Sequence, residues 1–191
     1  MRAWGIPWST NCERMSIAAA LAGVDVDWTL VTFDDRTLIE EVSGQRGVPV
    51  AELDGKIVVG SLQIVRRIAP QLWPDDPRTC ALVDTFLEWF DRVWQQPLGI
   101  LWRDSDDARK ARAATRLDRS IDRFEALLEG NYLFGELSVA DVATYPFLKY
   151  ATDATPDDDY DIHEIMRRSL SVEGRPRVAA WLDRVAALPG A

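Results

Sequence analysis

The chain has 191 residues, a length that suits one large domain or two small ones. With 47% hydrophobic and 28% charged residues it has the composition of a globular protein and not of a disordered one. A net charge of −9 without a basic run argues against a nucleic acid or an anionic membrane as partner, and an anionic substrate would need local positive character to overcome the global field.

In chain order, residues 3–6 form a short apolar run that Pro7 limits to a brief strand. Residues 11–22 read as a helix, with Met15, Ala18, Ala19 and Leu21 at helical spacing and Gly23 ending it. The period then switches to two over 24–33, where Val24, Val26, Trp28 and Leu30 alternate with Asp25, Asp27 and Thr29, the pattern of a strand with one buried face. A helical turn follows at 38–42. Two β-rich runs then flank Asp54-Gly55, the strongest short hairpin signal. Ser61 is placed to cap a helix through Ile64, Val65 and Ile68, which Pro70 ends. This alternation predicts an α/β layer with a hairpin at its edge over residues 1–72.

Residues 73–77 are rich in proline and acid and read as a linker, and 78–191 read as all-helical. One apolar stripe runs through Leu82, Phe86, Trp89, Phe90 and Val93, another through Leu117, Ile121, Phe124 and Leu128. Ser138-Val139-Ala140-Asp141 has the form of a capping box, opening an apolar helix through Val142, Tyr145, Phe147 and Leu148. An acidic loop is expected at 152–161, and Pro176 opens a last helix through Trp181, Leu182 and Val185.

Three places carry chemistry. The first is Trp8-Ser9-Thr10-Asn11-Cys12-Glu13-Arg14, where a strand meets a helix. Amides at a helix N-terminus favour an anion, and a hydroxyl there can donate to a thiolate and lower the pKa of its thiol. Taken alone, Ser9 reads better as a simple cap. Ser9 to Cys12 also has the spacing of a Cys-x-x-Cys motif whose first cysteine has become serine. That leaves Cys12 without a dithiol partner, so a buried inert residue is expected, with a reactive thiol as the lesser option. The second place is Val48-Pro49, where a cis peptide would free the Val48 main chain to pair with a peptide-like ligand. The third is Gly60-Ser61, whose hydroxyl and amides could hold a carboxylate, or merely cap the helix. With Cys12 and Cys80 the only cysteines and His163 the only histidine, no disulfide framework and no metal-ligand spacing exists. His163 is expected on a helix surface without a role. No signal peptide and no membrane-length apolar stretch is visible, so a reduced, cytoplasmic setting is expected. Eight tryptophans exceed what a core of this size needs, and some are expected at a pocket or interface.

Together, 9–18, Gly47-Val48-Pro49-Val50 and Ser138-Val139-Ala140-Asp141, with Gly135 just ahead of it, resemble the serine-type active-site loop, the cis-proline loop and the C-terminal capping box of the glutathione S-transferase family. The resemblance spans nearly the whole chain. It implies a thioredoxin-like N-terminal domain followed by an all-helical bundle, and glutathione as co-substrate with no metal. Ser9 would stabilise the thiolate. Val48 would pair with the cysteinyl main chain, Pro49 would be cis, and Ser61 would bind the γ-glutamyl carboxylate beside Asn11 and Gly60. Asp141 and Ser138 would be structural. Trp8, Trp89, Phe90, Val93 and Trp94 would line the site of a small apolar electrophile, and the protein would be a homodimer.

One departure stands out: the family usually carries an acid before the Ser61 position, where this chain has Gly60. Three activities follow from the resemblance. The first is glutathione transfer to an electrophilic carbon, without a covalent enzyme intermediate. The second is a non-catalytic or alternative-thiol binding protein of the same fold, which Gly60 favours. The third is a Cys12-dependent thiol–disulfide transferase.

Overall fold

The computed structural model describes residues 1–128, 130–152 and 161–191, so the acidic loop expected at 152–161 lies, apart from its ends, outside the described residues. Two units can be told apart, Met1–Trp73 with Ala187–Ala191, and Pro74–Ala186.

In the first unit, β1 (Arg2–Gly5) is central to a four-stranded sheet of order β2-β1-β3-β4. It pairs in parallel with β2 (Asp27–Leu30) and antiparallel with β3 (Val50–Leu53), which pairs antiparallel with β4 (Lys56–Val59). Strand alternation sends neighbouring residues to opposite faces. Ala3, Ala51 and Val58 therefore pack with Met15 of α1 (Thr10–Leu21) and Ile64 of α3 (Ser61–Ile68), while Trp4 and Val50 pack with Ile39 of α2 (Thr37–Ser43). The hairpin turn is the two residues Asp54 and Gly55, both with positive φ (50° and 72°), as a type I′ turn requires.

The strand expected over 24–33 is reduced to four residues. Among the described residues its only partner is β1, and β1 itself is only four residues long. Beyond it no ladder is available, and Leu30, expected on the buried face, is exposed.

In the second unit, α4 (Pro77–Phe90) starts at Asp76, whose carboxylate accepts from the Thr79 amide at 2.9 Å and hydroxyl at 2.8 Å. It runs through a π turn at Asp91–Gln95 into α5 (Gln96–Arg103). Pro97 accounts for the widened turn, because its ring would clash with the Val93 carbonyl in regular α geometry. Then follow α6 (Asp107–Leu127), α7 (Val139–Lys149), α8 (Ile162–Ser169) and α9 (Pro176–Ala186). Phe86, Phe90, Trp94, Phe124, Phe147 and Trp181 form a continuous aromatic core, with edge-to-face contacts such as Phe90 to Phe147 at 4.9 Å. The capping box is present, and Asp141 is its centre. Its carboxylate accepts from the Ser138 amide and hydroxyl, the Leu133 amide and Trp181 Nε1 at 2.8–3.1 Å.

Two expectations are corrected. Leu82 is 57% exposed, because the buried face of α4 is Val83, Phe86 and Phe90, one residue around the helix. His163 is not a surface residue. It is 2% exposed, between Ile162 and Met166 on the inner face of α8, with its ring 3.9 Å from that of Tyr150. Among the described residues no helix is long and apolar enough to cross a membrane.

Candidate active site at the N-terminus of helix α1

Ser9 occupies the cap position of α1, with extended backbone (φ −73°, ψ 120°) and its carbonyl accepting from the amides of Cys12 and Glu13 at 2.8 and 2.9 Å. The backbone therefore does what a cap residue does. The hydroxyl does not, since it makes no bond to the helix amides. It is directed instead to the Cys12 side chain, and it is half-buried.

Cys12 is buried and free. Burial pushes its thiol from an ordinary 9.0 up to about 11, outweighing hydrogen bonds with the Ile6 backbone and the Ser9 side chain, which favour the thiolate. The clamp is close-fitting. A Cβ on Gly5 would lie 2.7 Å from Cys12 Sγ and 2.5 Å from the Trp28 ring, so only glycine lets β1 pass here. A thiol held protonated behind a backbone strand is the reverse of an activated nucleophile.

Next to Ser9, Asn11 and Arg14 lie one turn apart on α1 and meet α3. Arg14 Nη1 donates to Ser61 Oγ at 3.3 Å, and Ser61 Oγ donates to Asn11 Oδ1 at 3.4 Å. Arg14 is 2% exposed, a buried cation where the N-terminal ends of two helices meet. Reasoning from sequence had not assigned it a site role. Its one signal is the three-residue spacing from Asn11, which places both on one helix face. Gly60 precedes Ser61 with φ 87°, a conformation that side chains other than glycine's adopt under strain.

The Val48–Pro49 bond is cis. The register of Trp4 opposite Val50 carries this dipeptide to the end of β1 from which the Ser9 loop departs. On the other side of that loop Trp8 stacks on Phe33 at 6.0 Å, and the Arg36 guanidinium lies 4.5 Å from the Phe33 ring. Phe33 and Arg36 were also missed, Phe33 lying at the end of the expected strand and Arg36 between it and the expected helical turn.

The expected electrophile residues of the helical unit divide. Phe90 (1% exposed) and Trp94 (0%) belong to the core and offer a ligand no surface; Trp94 Nε1 is bound to Ser120 Oγ at 2.6 Å. Trp89 and Val93 are half-buried and line a cleft.

The sequence and the fold were compared with known proteins. Residues 4–71 match the family model described as glutathione S-transferase, N-terminal domain, and 107–184 match glutathione S-transferase, C-terminal domain. The chain is 24% identical over 182 residues to glutathione S-transferase L1 of Arabidopsis thaliana, covering 91% of this chain and 72% of that protein. Among solved structures, a glutathione S-transferase domain-containing protein of Marinobacter aquaeolei VT8 superposes with a TM-score of 0.81 at 18% identity, covering 100% of this chain and 99% of its own. The theta class glutathione S-transferase of the citrus canker pathogen Xanthomonas axonopodis pv. citri, solved with glutathione bound, gives a TM-score of 0.72 at 24% identity over 99% of this chain and 93% of its own.

Proposed function

Because the chain belongs to the glutathione S-transferase family, we propose that it joins the glutathione thiolate to an electrophilic carbon of a small apolar compound, with Ser9 as the thiolate-stabilising hydroxyl. The sulfur bonds to carbon, and the leaving group departs with the electron pair, or in an addition the substrate takes up a proton. Asn11, Val48, Pro49, Gly60 and Ser61 hold the peptide, and Trp8, Trp89 and Val93 are the apolar contacts left for the electrophile. The protein works as a cytoplasmic homodimer.

The observation that carries this proposal is the Ser9 hydroxyl, which stands at a helix N-terminus yet is not consumed by capping. Its closest competitor for a thiol role, Cys12, is buried with its thiol pushed up to about 11, which disfavours the thiol–disulfide alternative. A solved relative with glutathione bound supports the choice of thiol. One hydrogen bond to a charged acceptor contributes about 1.5–3 kcal/mol, or roughly one to two pKa units on the bound thiol.

The test is a titration of glutathione into wild type and Ser9→Ala, following thiolate absorbance in the ultraviolet against pH. Wild type is expected to lower the thiol pKa by about one unit or more and Ser9→Ala to lose that effect. Bound glutathione with an unshifted thiol in the wild type refutes the role of Ser9. No binding at millimolar glutathione favours the second reading, a non-catalytic or alternative-thiol binding protein, for which the absent acid at Gly60 is the specific observation.

A further inference from the structure

Helix α6 carries Arg112, Arg116, Arg119 and Arg123 at i, i+4, i+7 and i+11, a spacing that puts all four on one face over about 16 Å of helix. That face lines a cleft of about 420 Å³ together with Trp89 and Val93 from the preceding helical segment and with Thr115 and Ser120 of α6. The volume suits a small-molecule site. No carboxylate lines the cleft among the described residues.

Two acids of α6 are engaged elsewhere. Asp122 pairs with Arg175 at 2.8 Å, and Glu125 accepts from the Arg177 and Val178 amides at the start of α9. Along the stripe each arginine has another arginine three or four residues away, an arrangement that weakens a helix rather than supporting it. Arg112 has Asp106 at the helix cap acting on it. In a chain of net charge −9, four cations thus converge on one hollow against an indole. Val93 follows Trp89 by four residues and lines the cleft with it, while Phe90 and Trp94, likewise four apart, go to the core.

We propose that this cleft binds a flat aromatic compound bearing two or more acidic groups, its ring on Trp89 and Val93 and its acids on the α6 arginines. Guanidinium groups suit planar oxyanions such as sulfonate, carboxylate or phosphate, and an indole suits a planar apolar body. This rests on the proposed function only in sharing Trp89 and Val93 with the electrophile contacts proposed there, and its ligand is acidic rather than apolar. Binding itself requires no glutathione.

The test is calorimetric titration of naphthalene-1,5-disulfonate, without glutathione, into wild type, Arg116→Gln/Arg119→Gln, Trp89→Ala and the charge-matched control Arg109→Gln/Lys110→Gln. The control removes two cations from the same helix outside the cleft. The dissociation constant is expected to rise roughly tenfold or more in Arg116→Gln/Arg119→Gln and about fivefold in Trp89→Ala, to stay unchanged in the control, and to weaken with added salt. Thermal unfolding of Arg116→Gln/Arg119→Gln should start no lower than in wild type, because a like-charge stripe has been relieved. Ser9→Ala should bind as wild type does, so failure here leaves the Ser9 proposal standing, and the reverse. Equal affinity of Arg116→Gln/Arg119→Gln and wild type, or of sulfate and the disulfonate, overturns the site.

Discussion

Alkylation of Cys12 gives a direct measure of how the N-terminal unit divides its sulfur chemistry. The thiol lies behind Gly5 and Trp28, and burial lifts it from an ordinary 9.0 to about 11. A thiol raised that far has a thiolate fraction at neutral pH about a hundredfold below that of an exposed cysteine. Wild-type protein treated with iodoacetamide near pH 7.5, with the Cys12 peptide followed by mass spectrometry, should react at least about a hundredfold more slowly folded than in urea. The raised pKa has a consequence for stability as well. As pH rises from 9 towards 11, the unfolded chain releases the Cys12 proton while the folded chain keeps it, so the unfolded state binds fewer protons and stability falls through that window. The loss approaches about 3 kcal/mol and is absent from Cys12→Ala, which isolates it from the titration of other groups. Folded-state alkylation within about tenfold of the denatured rate, or identical pH profiles for wild type and Cys12→Ala, would show that Cys12 is not held as a buried thiol. In that case the preference for Ser9 over Cys12 fails with it.

Asp141→Ala removes the acceptor of four donors in a site with no access to water, and should destabilise the helical unit by about 3–5 kcal/mol. That corresponds to a fall of roughly 10 °C or more in the thermal midpoint. Exposed Asp118→Ala on α6 should change it by less than about 2 °C, and an equally mild Asp141→Ala would refute the role of the network. Gly60→Glu supplies the acid that the family usually carries, at a position with φ 87°. It should lower stability by about 1–2 kcal/mol in urea unfolding and tighten glutathione binding. Unchanged affinity would mean that the missing acid is not what distinguishes this site.

The parts of the fold that sequence disclosed are those written in local chemistry. Asp54-Gly55 dictates a two-residue turn because both positions need positive φ. Ser138 and Asp141 announce a helix start because their side chains satisfy its amides. Features set by packing left fainter traces. Trp89 with Val93 and Phe90 with Trp94 are two pairs at helical spacing, and with all four apolar the pattern does not say which pair is buried. Packing sends the first pair to a cleft and the second to the core. His163 looks polar by type and is buried by its position on α8. The arginine stripe is invisible in a charge profile because Asp118 and Asp122 alternate with it along the chain. In the helix the two signs separate by about a third of a turn, and each finds its own neighbours.

A buried arginine joins the two helix ends at the N-terminal site. Amides at the start of α1 and of α3 carry partial positive charge, and Arg14, one turn inside α1, leans back toward that end to reach Ser61 on the first turn of α3. The two helix ends present partial positive charge there, a setting that suits a negative group. Asn11 and Ser61 add one acceptor and one hydroxyl in the same small space, the groups the proposed function assigns to the γ-glutamyl end of glutathione. Ser9 lies two residues before Asn11, at the cap of the same helix. On the proposed function, the same helix end would lie close to both the anionic tail and the thiolate, and this local positive potential has to outweigh a global charge of −9.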